Sequence, residues 1–85
     1  MSYRKSQKRR GKFRMSRYSN KLVDDFSKAK TTSDKKGVYW RGFRTLAKSR
    51  HFADAEDQQQ LSDTLTGMRT SLKEVHGVKG LPKPD

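Results

Sequence analysis

Eighty-five residues, 29% apolar and 35% charged, leave room for one domain with a small core. The absence of cysteine excludes disulfides, thiolate metal sites and a cysteine nucleophile. No apolar run approaches the roughly 18–20 residues that cross a bilayer. The net charge of +12 is uneven: residues 1–21 carry +9, with nine Lys or Arg and no acid, residues 22–50 carry +5, and residues 51–85 carry −2. A basic N-terminal half and a mildly acidic C-terminal third suggest that binding and packing are divided between them.

Residues 1–18 read as a basic, largely disordered arm. It offers Tyr3, Phe13 and Tyr18 as aromatics, and Gly11 interrupts its first part. From Met15 a helical stripe is visible. Met15, Tyr18, Leu22, Phe26 and Ala29 share one face, and Arg10, Arg14, Arg17 and Lys21 share another. A helix can therefore be drawn from about Lys12 to Lys30. Asn20 is a good N-cap with Asp24 and Asp25 behind it, which favours a later start. For the free protein the expected helix is 20–30, with the preceding turns becoming helical when phosphates neutralise them.

Residues 31–37, Thr-Thr-Ser-Asp-Lys-Lys-Gly, read as a polar loop. A helix is expected over 39–50, with Trp40, Phe43, Leu46 and Ala47 on its packing face, although Gly42 weakens it by about 1 kcal/mol relative to Ala. The strongest periodicity comes last. Leu61, Leu65, Met68, Leu72 and Val75 recur at helical spacing, Asp54 is a capping residue and Gly77 a stop, which predicts a helix over 55–76. Residues 78–85, with two prolines, read as an irregular tail. The expected fold is all-α: a helical hairpin or three-helix domain over 19–77 behind the basic arm.

Chemistry for catalysis is not found in the pattern. His51 and His76 have no carboxylates at metal-ligand spacing, Asp24 and Asp25 diverge on a helix, and the six glycines form no phosphate-cradling motif. No enzyme activity, metal, cofactor or small-molecule substrate is expected. The arm points instead to a polyanion. Arg4, Lys5, Lys8, Arg9, Arg10, Lys12, Arg14 and Arg17 are the candidate phosphate contacts, with Arg41, Arg44 and Lys48 as a second patch. Tyr3, Phe13 and Tyr18 are candidate base-stacking groups. Trp40, Phe43, Leu61, Leu65, Met68, Leu72 and Val75 are assigned to packing or assembly.

The segments Tyr3-Arg4-Lys5 and Lys8-Arg9-Arg10-Gly11-Lys12-Phe13-Arg14 resemble in composition the genome-packaging proteins of small single-stranded DNA phages, and the basic extensions of ribosomal proteins. The likeness covers about a quarter of the chain.

The expected function is non-enzymatic nucleic-acid binding, to RNA or to single-stranded or non-specific DNA, with deletion of residues 1–17 abolishing binding and sparing the thermal transition. The alternative is a small inhibitor or adaptor, phage-encoded or ribosome-associated, docking on an acidic protein through its helices. A homodimer through the C-terminal stripe is a further expectation. The expected location is intracellular, without a signal peptide: cytoplasm or nucleoid, a virion for a phage chain, the nucleus for a eukaryotic one.

Overall fold

The computed structural model describes residues 14–84. Arg4, Lys5, Lys8, Arg9, Arg10 and Lys12, with Tyr3 and Phe13, lie outside the described residues. Three helices follow: α1 Met15–Lys28, α2 Thr32–Ser49 and α3 Ala55–Glu74. They form an up-down-up bundle. Tyr18 of α1 meets Thr45 of α2, and Asp25 meets Arg41, so these two helices run antiparallel. Ser16 of α1 lies against Gln60 of α3, near the start of each helix. The all-α, three-helix architecture expected from the sequence is present.

The first helix starts five residues earlier than its capping signal suggested. Arg14 occupies the N-cap position without a side-chain hydrogen bond, and the first turn has no acid. That is a poor helix start, costing about 1 kcal/mol for the missing cap and several tenths for cations at the positive end. Burial outweighs it. Met15 is almost completely buried in the core, a gain of about 1.5–3 kcal/mol. The helix therefore extends back until Met15 is inside.

The polar stretch 31–37 is a loop only at its first residue. Thr31 caps α2 by accepting a hydrogen bond from the Asp34 N–H (3.0 Å), and Asp34 adds a carboxylate to the first turn. Lys35 then reaches back to α1. Its Nζ donates to the Phe26 carbonyl (2.7 Å) and stands 4.8 Å from the Phe26 ring centroid. Cap and lysine hold a helical segment that has no apolar stripe of its own.

In α3, Asp54 accepts from the Asp57 N–H at 2.9 Å, and Glu56 and Asp57 fill the first turn. The helix turns Leu61, Leu65, Met68 and Leu72 into the core, where all four are buried. Val75, assigned to packing or assembly, does not join the core. The regular helix ends at Glu74, and Val75 is 73% exposed. The Val78 N–H donates to the Leu72 carbonyl, reversing the chain, and Gly77 (φ 70°) and Gly80 (φ 84°) take the left-handed conformations that the reversal needs.

The tail after that reversal has no regular secondary structure, yet it closes the core. Leu81 is buried with Met15, Leu22, Tyr39 and the α3 leucines. Three side chains donate to its carbonyls: Tyr39 Oη to Pro82, Arg69 Nε to Leu81 (3.0 Å) and Ser62 Oγ to Pro84 (3.4 Å). Tyr39, not Trp40, is the fully buried aromatic of α2. Trp40 lies 39% exposed and Phe43 half-buried.

Gly42 is where the helices meet. A β-carbon there would stand 2.7 Å from Leu22 Cδ1 and 2.7 Å from Leu65 Cδ2, both on buried side chains. Gly37 and Gly67 have no such neighbours. Replacing Gly42 by Ala is expected to destabilise the protein by about 1 kcal/mol net, since overpacking exceeds the gain in helix propensity. Gly37→Ala should instead stabilise it by about 0.5–1 kcal/mol. Urea denaturation followed by circular dichroism checks both signs. By the same measurement, Leu81→Ala should cost about 2–4 kcal/mol and Val75→Ala less than about 0.5 kcal/mol.

Candidate nucleic-acid interface

The hairpin of α1 and α2 presents a basic outer face. Arg14, Arg17 and Lys21 follow one another at helical spacing along α1, on the side away from Ser16 and Ser19, which turn toward α3 and the core. On α2, Arg41, Arg44 and Lys48 follow the same spacing. All six are exposed. The antiparallel crossing sets the two rows side by side, since Tyr18 Oη and Thr45 Oγ1 are 2.7 Å apart between them. The second patch of the sequence reading and the inner end of the arm thus belong to one surface.

Two carboxylates temper this face. Asp25 Oδ2 accepts from Arg41 Nη2 at 2.6 Å, and its Oδ1 lies 3.7 Å from Lys21 Nζ. Asp24 pairs with Lys28 at 3.0 Å. That hydrogen bond, with the charge of Asp24 behind it, raises the Lys28 pKa above its ordinary value. Arg41 is therefore tied to α1 through Asp25, while Arg14, Arg17, Arg44 and Lys48 form no ion pair among the described residues. Across residues 14–50, eleven basic side chains face three acidic ones, a net of +8.

A shallow recess of about 210 Å³ interrupts the face, lined by Tyr18, Lys21, Leu22, Asp25 and Arg41. Tyr18 forms its wall. The ring is half-buried against the core, and the hydroxyl is engaged with Thr45. Of the three aromatics assigned to stacking, it is the one within the described residues, and it is built into the helix contact. The sequence pattern did not point to Trp40 as an exposed ring. Helical phase alone carried the signal: Trp40 lies about 100° round α2 from the buried Tyr39.

The opposite side of the bundle differs in character. Helix α3 carries Glu56, Asp57, Asp63 and Glu74 against Arg69 and Lys73, and Arg69 is engaged with the tail. Its leucine stripe lies inside the molecule, packed against α1, α2 and Leu81. Among the described residues no group of three or more His, Cys, Asp or Glu is placed to hold a metal ion, and no helix is long and apolar enough to cross a membrane. His51 and His76 are both exposed.

No protein-family model, curated protein or solved structure matches the chain.

Proposed function

We propose that this chain is a small, non-enzymatic nucleic-acid-binding protein that grips the phosphate backbone with the α1–α2 face and the basic segment leading into it. The observation that carries this reading is the sorting of charge by surface. Arg14, Arg17, Lys21, Arg41, Arg44 and Lys48 share one face, while the acidic residues of α3 lie on another helix. Cations gathered on one side neutralise adjacent phosphates and release their counterions together. Arg at four of these six positions adds bidentate geometry toward phosphate oxygens. Six further Lys or Arg in residues 4–12 extend the same field. Contacts of this kind are indifferent to base sequence.

An acidic protein would also be drawn to this face. The two partners separate in a pull-down from lysate with and without nuclease, because protein contacts to the basic face survive the digestion and nucleic acid does not.

Burial of Met15 decides where the arm can be cut. Deleting residues 1–17 removes Met15 from the core, so the thermal transition will not be spared as the sequence reading expected. Deleting residues 1–13 keeps Met15. That shorter deletion should leave the thermal transition within a few degrees of the full chain while weakening binding at least tenfold.

The triple variant Arg17→Gln, Arg44→Gln, Lys48→Gln tests the folded face by itself. It should reduce the slope of log affinity against log salt by about 2–3, at roughly 0.7–0.9 for each phosphate no longer neutralised. Asp25→Asn works in the opposite sense. It frees Arg41 and Lys21 at a cost of less than about 1 kcal/mol in stability, and affinity should rise. Fluorescence anisotropy of a labelled oligonucleotide across a salt series checks all three. An unchanged slope in the triple variant would remove the hairpin face from the interface.

A further inference from the structure

We infer that Trp40 is a stacking platform for an unpaired base, which directs the protein to single-stranded nucleic acid in preference to duplex. The inference rests on the phosphate-binding reading and adds to it the form of the nucleic acid.

Four observations bear on Trp40. It is the single tryptophan of the chain, and a core this short of large apolar groups nevertheless leaves it 39% exposed. Its ring is braced by a neighbouring pair of rings, Tyr39 and Phe43, that stack on each other. The Phe43 ring meets it edge-on at 5.6 Å and 76°, and the Tyr39 ring at 6.4 Å and 81°. Tyr39 is itself buried and tied to the Pro82 carbonyl, so the brace is anchored in the core. Finally, Lys36 and Arg44 stand one helical turn before and after Trp40, both exposed.

A ring held in place loses little conformational entropy when something stacks on it. Indole offers the largest aromatic surface for a base, and base stacking tolerates any sequence. The flanking cations, one turn to either side of the ring, supply charge for the phosphates next to a stacked nucleotide. Arg44 also lies between Trp40 and the Arg41–Lys48 row on the α2 surface, which joins the platform to the phosphate-binding face. A duplex keeps its bases stacked on one another and presents none to this ring. A single strand presents one at every residue.

The test uses the full chain with fluorescein-labelled 12-nucleotide oligouridylate, the matching deoxythymidylate oligomer and a duplex of equal length, at one salt concentration. Anisotropy reports binding, and the emission of Trp40 reports stacking directly, free of other tryptophans. Both single strands are expected to bind at least tenfold more tightly than the duplex and to quench the emission with the same midpoint as the anisotropy curve. Trp40→Ala should lose roughly tenfold or more for single strands and little for the duplex. Trp40→Phe, which keeps a ring against Tyr39 and Phe43, should retain most of the affinity and the thermal transition. Binding with unchanged emission, or equal affinity of Trp40→Ala for single strands, overturns the platform and leaves the phosphate-binding face standing. Absence of binding to all three probes at low salt overturns that reading as well, and the platform with it.

Discussion

The bundle depends on the bare backbone at Gly42. Leu22 and Leu65 both press toward that point of α2, and each is already buried. A side chain there would separate α2 from both neighbours at once. With none, α1 and α3 meet α2 at one point, and the side of α2 that carries Arg41, Arg44 and Lys48 is left to solvent. The outward position of Trp40, Arg44 and Lys48 is therefore a consequence of how the three helices close. Glycine in a helix costs about 1 kcal/mol in propensity, and this is the position where the cost is offset by contact.

A second constraint is the scarcity of apolar groups. Eight side chains make up the buried core, and they come from all three helices and the tail: one from the first turn of α1, one from the irregular tail. Neither end can be spared in so small a core. This explains why α1 extends back to Met15 despite an uncapped start, and why three polar side chains are engaged in holding Leu81, Pro82 and Pro84 in place.

The parts of this fold that were legible in the sequence are those that rest on repetition. The α3 stripe of Leu61, Leu65, Met68 and Leu72 repeats on one face, and Asp54 precedes it at capping distance, so both the helix and its buried side could be read directly. The first two turns of α2 have no repeat. They depend on Thr31, Asp34 and a contact from Lys35 to a residue nine positions earlier, which no local pattern displays. Val75 continues the α3 stripe in sequence but lies beyond the helix, because the reversal at Gly77 turns the chain before that face completes another contact. Tyr39 and Trp40 differ by one step of helical phase, and periodicity over a single aromatic cluster does not fix which of two neighbours points inward. The buried partner of Tyr39 is Pro82, 43 residues away, so the choice is made by a contact that only the folded chain contains. For the candidate site the balance is similar. The cations themselves were evident, but the pairing of Arg41 with Asp25, and the alignment of Arg14 and Arg17 beside Arg44 and Lys48, needed the antiparallel crossing.

That crossing also carries an electrostatic cost. It brings two rows of like charge together on a domain with little core to oppose their repulsion, and Arg14 and Arg17 stand at a helix end whose dipole disfavours them. Asp24 and Asp25 relieve part of it through pairs that are individually weak, because their lysine and arginine partners are largely exposed. A fold optimised for its own stability would place more acid on this face or move the cations to α3, where Glu56, Asp57 and Asp63 already stand. The chain does neither. The repulsion is instead suited to removal by a bound polyanion, and any ligand that neutralises the folded face more than the unfolded chain stabilises the fold by the same linkage. On the phosphate-binding reading, the density of cations on the α1–α2 face both costs the free protein stability and draws its partner.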